Sequence, residues 1–218
     1  MISGVVRMLR VYSIFKSIQG EGLLMGIPTV FIRLAGCPLK CSWCDTAEAR
    51  TAPGKSMSIE QILAEVEKTR LSYVCLTGGE PLAQEGSITL INKLTEKDYF
   101  VQLETSGAIP LEEVPCSENV MISMDIKCPS SGEQDKMDLS NLELISQFDQ
   151  LKFVIADEND YLYAKKIMSE NVINAAIIMT PVGGTDLEWL AKRAIRDKLK
   201  VRVMPQLHKL IWGDQPDK

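Results

Sequence analysis

The sequence has no apolar run of 18 residues, no excess of basic residues and a single histidine. Without an apolar run of that length, we expect no segment that spans a membrane. A formal net charge of −5 argues against a general nucleic-acid binder, because such proteins normally carry a basic face. Residues 1–10 are interrupted by Arg7 and Arg10, so we expect no secretory signal and a cytoplasmic location.

The chain has ample material for a core, since 45% of its 218 residues are hydrophobic and no low-complexity segment or repeat occurs. This length fits one α/β domain, which we expect to cover residues 1–218. Short runs rich in β-branched residues predict strands that are apolar on both faces, as in a sheet covered by helices. These predicted strands are Thr29–Leu34, Tyr73–Thr77, Phe100–Thr105, Val120–Ile126, Leu151–Ala156, Ala175–Thr180 and Val201–Pro205.

Amphipathic segments lie between the predicted strands. Apolar residues at 59, 62, 63 and 66 follow the spacing of a helix with one buried face, and Ser58 with Gln61 resembles a capping box. The same periodicity recurs from Leu187 to Ile195. Alternating strands and helices predict a parallel sheet, and the short chain favours an incomplete barrel of about six strands over a closed barrel of eight.

Three cysteines stand close together in a C-x3-C-x2-C run at Cys37, Cys41 and Cys44. A structural zinc site would need a fourth Cys or a His nearby, but the next cysteine is Cys75 and the only histidine is His208. A disulfide framework suits small secreted domains rather than this chain. Three thiolates can hold a [4Fe–4S] cluster that keeps one iron open for chemistry. The run resembles the cluster loop of the radical S-adenosylmethionine (SAM) superfamily.

Further motifs at the ends of predicted strands resemble the SAM-binding segments of that superfamily. Gly78-Gly79-Glu80-Pro81 taken alone could be a turn into a helix, with the proline at the first helical position. The resemblance instead implies that it binds the SAM amino group. It also implies that these residues bind SAM: Gly79, Glu80, Glu104, Asp125, Ile126, Lys127, Met179, Thr180, Pro181 and Val182. Related sequences more often carry Ser-Pro-Lys at 125–127. Trp43 could stack on adenine or shield the cluster.

Four other pieces resemble the 7-carboxy-7-deazaguanine synthases: residues 18–22, Arg33, Asp45-Thr46, and the segment 206–213 with His208. This resemblance covers residues 13–213. It implies conversion of 6-carboxy-5,6,7,8-tetrahydropterin to 7-carboxy-7-deazaguanine with loss of ammonia, for the queuosine or archaeosine of tRNA. The radical that starts this reaction comes from SAM, whose reduction needs flavodoxin or ferredoxin. The resemblance implies a homodimer as well.

The same resemblance implies the substrate site. An N-terminal segment of about residues 13–28 and a C-terminal extension of about residues 200–218 are expected to contribute to it. The substrate-binding residues would be Ile18, Gln19, Gly20, Arg33, Thr77 and His208, and Thr46 would bind Mg²⁺ and join the cluster cysteines in catalysis. A guanidinium fork suits the substrate carboxylate, and an oxygen ligand suits a hard cation.

Each of these residues also has an ordinary structural interpretation. Arg33 could neutralise a neighbouring acid, Thr46 could cap a helix, and His208 could be a structural hydrogen-bonding residue. Cys75 is expected to be a small core residue, and together with Cys116 and Cys128 it lacks the spacing of a second cluster.

Two other functions use the same cluster loop. A radical SAM activating enzyme would install a glycyl radical on a partner protein and would not need a cage for a small molecule. A non-catalytic iron–sulfur or zinc module would not bind SAM.

Overall fold

The computed structural model describes residues 8–215 and 217, so residues 1–7, which bear on the expected lack of a secretory signal, lie outside it. The strands are β1 (Met8–Ile18), β2 (Pro28–Leu34), β3 (Lys55–Ser58), β4 (Tyr73–Gly78), β5 (Phe100–Thr105), β6 (Val120–Ile126), β7 (Gln150–Ile155), β8 (Ala176–Pro181) and β9 (Arg202–Val203). The helices are α1 (Ala47–Thr51), α2 (Ile59–Glu67), α3 (Gly86–Thr95), α4 (Glu158–Glu170), α5 (Glu188–Arg196) and α6 (Leu207–Trp212).

All the strands belong to one sheet with the order β3-β1-β2-β4-β5-β6-β7-β8-β9. From β2 to β9 every neighbouring pair is parallel. The helices α1 to α5 lie in the connections between strands, and within the described residues no α-helix joins β5 to β6 or β6 to β7. The sheet does not close, because β3 and β9 are its edges. The predicted incomplete parallel barrel is confirmed, with six longer parallel strands and the two-residue β9.

The strands β1 and β3 extend this sheet on one side and were not predicted. β1 pairs antiparallel with β2, and its last residue, Ile18, lies opposite Pro28. The segment predicted to begin near residue 13 for substrate binding therefore starts inside a strand. In β1, Leu9 and Val11 are buried while Met8 and Arg10 are exposed. The sequence carried a signal for this strand, since the apolar Leu9 and Val11 flank Arg10 with the period of two that is typical of a strand.

The predicted helices are present. In α2, Ser58 Oγ accepts from the Gln61 amide at 3.3 Å and Gln61 Oε1 accepts from the Ser58 amide at 2.9 Å, so the capping box is confirmed. In α5, Leu190 and Ala194 are buried as the pattern predicts. Ile195 is 77% exposed instead, because the sheet ends at the short β9 that α5 covers.

The central strands carry polar side chains on one face, which corrects the expectation that both faces are apolar. Gln102 of β5, Ser123 of β6, and Gln150 and Lys152 of β7 are all buried. The apolar residues that alternate with them pack against the helices in two core clusters. The sheet therefore has an apolar outer face under the helices and a polar inner face. No helix in the described ranges is long and apolar enough to cross a membrane.

Candidate active site

The ends of β2 and β4 meet closely at the root of the cysteine loop. The Gly79 amide donates to Leu34 O and the Glu80 amide donates to Gly36 O, both at 2.9 Å. A Cβ on Gly79 would lie 1.9 Å from Gly36 O, and one on Gly78 would lie 2.2 Å from Leu34 O. Glycine is therefore required here for the contact between the two strand ends.

The thiols of Cys37, Cys41 and Cys44 are free and partly exposed on the loop that follows β2. Burial raises the pKa of the Cys37 and Cys41 thiols, and a bound metal would replace their protons. No three Cys, His, Asp or Glu side chains of residues 8–215 and 217 converge on a single-ion site. In a [4Fe–4S] cluster each thiolate binds a different iron, so three soft thiolates spread over one loop fit that group.

A second loop holds the cysteine loop in place. The Ser42 amide donates to Ser131 O at 3.0 Å, and Trp43 Nε1 donates to Ser130 Oγ at 2.9 Å. The Ser130 amide in turn donates at 2.8 Å to the carboxylate of Asp160, which is fully buried at the start of α4. This anchoring sets the orientation of the indole ring beside the last cluster cysteine.

The end of β6 contributes a charged pair next to the same ring. Lys127 Nζ lies 2.9 Å from Asp125 Oδ2 and 5.5 Å from the centroid of the Trp43 ring. Burial alone would lower the pKa of Lys127, but Asp125 and Cys41 outweigh it and the pKa is raised. Asp125 Oδ1 is buried without a hydrogen-bond partner in the described part of the chain. The Ile126 side chain is buried in the core, which leaves only its backbone for a ligand.

The Glu80 carboxylate is turned inward rather than toward a ligand. It is fully buried and accepts from Thr105 Oγ1, from the amide and hydroxyl of Ser106, and from the Leu82 amide, at 2.6–3.1 Å. The three donors from Thr105 and Ser106 tie the end of β4 to the end of β5. A side-chain contact between Glu80 and an ammonium group would have to replace one of them.

At the end of β8, the predicted cofactor-binding residues lie at the same edge of the sheet as the cysteine loop. Met179 is buried in the core, and its carbonyl accepts from the Met204 amide at 3.0 Å. Thr180 and Pro181 are also buried, whereas Val182 is partly exposed. Any contact with a ligand by Met179 would therefore have to come from its backbone.

A chain of polar groups lines the inner face of the sheet. Gln19 Nε2 donates to Gln102 Oε1 at 2.6 Å, and Gln102 Nε2 donates to Glu104 Oε1 at 2.7 Å. Ser123 Oγ donates to Glu104 Oε2 at 2.9 Å, and Gln150 Nε2 donates to Ser123 Oγ at 2.7 Å. We call this row, together with Lys152 and Glu21, the polar chamber.

Lys152 is the cation of the polar chamber. Its Nζ lies 2.5 Å from Glu21 Oε2 and 3.3 Å from Glu104 Oε2. Burial would raise the pKa of Glu21, but Lys152 and Gln206 outweigh it, so that pKa is lowered. Burial does raise the pKa of Glu104, which shares Lys152 with Glu21. Glu21, Lys152 and Gln206 were not named as site residues. Glu21 and Gln206 lie inside the motifs at residues 18–22 and 206–213, and Lys152 is a polar residue among apolar ones in a predicted strand; these were the available signals.

Two other predicted substrate residues lie side by side at the ends of β2 and β4. Arg33 pairs in register with Thr77, and its guanidinium lies 5.4 Å from the centre of the Phe15 ring. Arg33 Nε is buried, has no hydrogen-bond partner among the described residues and is 3.7 Å from Asp217 Oδ1. The Asp217 carboxylate is thus already close to the Arg33 guanidinium, the group that was predicted to bind the substrate carboxylate.

His208 of α6 packs directly on Gly20. A Cβ on Gly20 would lie 2.1 Å from His208 Nδ1, so only glycine permits this contact. Burial lowers the pKa of His208, against the opposing effect of Glu21. The structure therefore brings together Gly20 and His208, which are distant in sequence, while Ile18 remains the last residue of β1.

Comparisons with known proteins agree with this geometry. The sequence profile of the radical SAM superfamily matches residues 31–127, which contain the cysteine loop and the glycine pair. The 7-carboxy-7-deazaguanine synthase of Methanospirillum hungatei is 40% identical over 207 residues, which cover 93% of this chain and 85% of that protein. The one from Chlorobaculum tepidum is also 40% identical and covers 94% of each. The chain belongs to the 7-carboxy-7-deazaguanine synthase family.

Among solved structures, QueE from Escherichia coli has the same fold as this member of the 7-carboxy-7-deazaguanine synthase family. The TM-score is 0.73 at 23% identity, over 91% of this chain and 94% of that one. As a radical SAM enzyme, this 7-carboxy-7-deazaguanine synthase family member uses a [4Fe–4S] cluster and SAM, and it acts on a small molecule.

Proposed function

We propose that this chain converts 6-carboxy-5,6,7,8-tetrahydropterin to 7-carboxy-7-deazaguanine with release of ammonia, and that the product serves the 7-deazapurines of tRNA, queuosine or archaeosine. One observation carries the proposal. Gln206 hydrogen-bonds both to Glu21 of the buried polar chamber and to Asp45, the residue after the last of the three loop thiols, so an organic radical formed at the loop would be close to a substrate held in the chamber.

The cofactor site is proposed from residues at the strand ends. When bound, the cluster and SAM supply an electron and an organic radical. Cys37, Cys41 and Cys44 would hold the cluster. The backbone at Gly79, together with Lys127 and the unpartnered oxygen of Asp125, would hold the amino acid and ribose parts of SAM. Lys127 is positive, Asp125 is negative and the Gly79 backbone is neutral, so together they match the carboxylate, ammonium and hydroxyl groups of SAM.

The polar chamber has the chemistry of a pterin site. A pterin edge presents both donors and acceptors, and Gln19, Gln102 and Glu104 offer both kinds of partner within one hydrogen-bonded row. Arg33 would bind the substrate carboxylate, next to Thr77. His208, held neutral near pH 7 by its lowered pKa, would contact the ring or carry a proton. Burial of these groups excludes water from the reacting carbon.

Thr46 is proposed as the protein ligand of Mg²⁺. It precedes α1, but its hydroxyl forms no capping hydrogen bond and no other hydrogen bond to residues 8–215 and 217. A free hydroxyl next to the last cluster cysteine suits a hard cation that takes its remaining oxygen ligands from substrate and water. Asp45 is engaged with Lys209 instead.

Other features of the family resemblance remain proposals. We propose that residues 1–218 act as a single radical SAM domain, as a homodimer in the cytoplasm. We also propose that flavodoxin or ferredoxin reduces the cluster, and the partial exposure of the cysteine loop supports electron entry there.

The reaction itself tests the proposal. Anaerobically reconstituted protein is incubated with dithionite, SAM, Mg²⁺ and the carboxypterin, and products are separated by chromatography. We expect 7-carboxy-7-deazaguanine together with ammonia. Recovery of 5′-deoxyadenosine without any deazapurine would reject the substrate. Cys41→Ser should abolish SAM cleavage, whereas Cys116→Ser, at an exposed cysteine outside the loop, should not.

A further inference from the structure

We propose that Gln206 is a positioning residue that holds the cysteine loop and the polar chamber in a fixed relation. The proposal rests on the function proposed above. Gln206 Nε2 donates to Glu21 Oε1 at 2.7 Å and to Asp45 Oδ2 at 3.3 Å, so one amide nitrogen serves two carboxylates. The residue is 4% exposed although it lies near the end of the described chain.

The two carboxylates belong to different parts of the site. Glu21 lies within the predicted N-terminal substrate segment and pairs with Lys152 of the polar chamber. Asp45 stands between Cys44, a predicted cluster ligand, and Thr46, the proposed Mg²⁺ ligand. Since Asp45 and Glu21 share one donor, a displacement of either carboxylate is passed to the other.

The backbone around Gln206 is fixed from two sides. Its amide donates to Gly184 O at 2.8 Å, and the next amide, of Leu207, donates to Gly20 O at 2.8 Å. A Cβ on Gly184 would lie 2.3 Å from Gln206 Oε1, so only glycine at position 184 leaves room for the Gln206 side chain in this position. One turn further along α6, Lys209 Nζ contacts the other oxygen of Asp45 at 2.8 Å.

The arrangement requires a neutral group with two N–H bonds on one atom. Glutamine provides it, because one hydrogen can point to each carboxylate. Glutamate has the same size but would bring a third carboxylate to Glu21 and Asp45. Methionine has a similar length and offers neither a donor nor a charge. A residue that only fills space would tolerate Gln206→Met, which keeps the length of the side chain, whereas a positioning donor would not.

The decisive measurement is the coupling of SAM cleavage to product formation. We expect the ratio of 5′-deoxyadenosine to deazapurine to rise about tenfold in Gln206→Met, the effect of losing a hydrogen bond to a charged group. The ratio should rise further in Gln206→Glu. Iron content and the spectrum of the reduced cluster with SAM should match those of the unchanged protein. Gln147→Met, at an exposed glutamine before β7, is the matched control and should leave the ratio unchanged.

A second readout does not depend on the substrate. Hydrogen exchange of peptides that cover residues 42–48 should become faster in both Gln206 variants, because Asp45 loses one of its two partners. Lys209→Met removes the other partner and should give a weaker form of the same change. If neither Gln206 variant retains its cluster, hydrogen exchange of residues 42–48 in Lys209→Met tests whether the contacts of Asp45 hold the cysteine loop.

Two results would overturn the proposal: unchanged coupling and exchange in both Gln206 variants, or a milder effect of Gln206→Glu than of Gln206→Met. A failure of the proposed function would look different. It would appear in the unchanged protein as absence of product, and the exchange of residues 42–48 would still test the contact.

Discussion

At the residue scale, the site depends on positions that have no space for one additional side-chain atom. Gly20 and Gly79 lack the Cβ that would collide with His208 and Gly36. The hydrogen bonding of Thr46 and Glu80 differs from what their positions in the sequence suggest. The Thr46 hydroxyl is free although its position is that of a helix cap, and the Glu80 carboxylate is fully engaged although its motif suggested a ligand contact.

We expect Thr46→Val to lower the rate of product formation by at least about tenfold and to remove its dependence on Mg²⁺ concentration. Valine has nearly the same shape, and the lost hydroxyl caps nothing, so iron content and thermal unfolding should not change. The rate is measured over a Mg²⁺ titration after chelation. Thr51→Val, at an exposed threonine at the end of α1, serves as the control. A variant that keeps its Mg²⁺ dependence would remove Thr46 from the metal site.

At the scale of elements, strand ends are tied by side chains and helices are started by caps. Glu80 joins the ends of β4 and β5 through Thr105 and Ser106. The capping box of Ser58 and Gln61 starts α2, which buries Ile62 and Val66 against the sheet. These contacts keep the strand ends in place, and with them the residues that the strands carry.

We expect Ser58→Ala to lower the free energy of unfolding by about 1 kcal/mol, because the Gln61 amide loses its acceptor at the start of α2. Urea denaturation of the cluster-free chain measures this change. Ser56→Ala, at an exposed serine of β3, should change stability by less than about 0.5 kcal/mol. Equal effects of the two substitutions would show that the box contributes little.

At the scale of the whole molecule, the barrel encloses a charged group of two carboxylates and one ammonium. Glu21 comes from the loop after β1, Glu104 from β5 and Lys152 from β7. The carboxylates affect acid stability in opposite directions. The lowered pKa of Glu21 stabilises the fold above its unfolded value of 4.5, whereas the raised pKa of Glu104 favours the fold when that group is protonated.

We therefore expect the free energy of unfolding to fall as the pH is lowered from about 4.5 toward 2, the range in which the unfolded chain protonates Glu21 and the folded chain does not. The lowered pKa of His208 adds a loss of stability as the pH falls below 6.5. In Glu21→Gln the decrease below pH 4.5 should be shallower. Urea midpoints of both proteins across this pH range provide the test, and identical slopes would contradict it.

The sequence by itself determined the cofactor chemistry and the class of fold. The three cysteines, the glycine pair and the helix cap are local patterns, because each depends on residues a few positions apart. The alternation of strands and helices likewise predicted the incomplete parallel barrel. The roles of individual site residues, such as Arg33 and Thr46, stay predictions.

The tertiary structure alone decided which polar residues meet. Glu21, Lys152 and Gln206 are separated by more than fifty residues at each step, yet they share hydrogen bonds. No periodicity in the sequence predicts such a contact, because it arises from the packing of segments that are distant in sequence. The structure also decided that Glu80 points inward and that β1 pairs antiparallel with β2, since both depend on which segments become neighbours in the sheet.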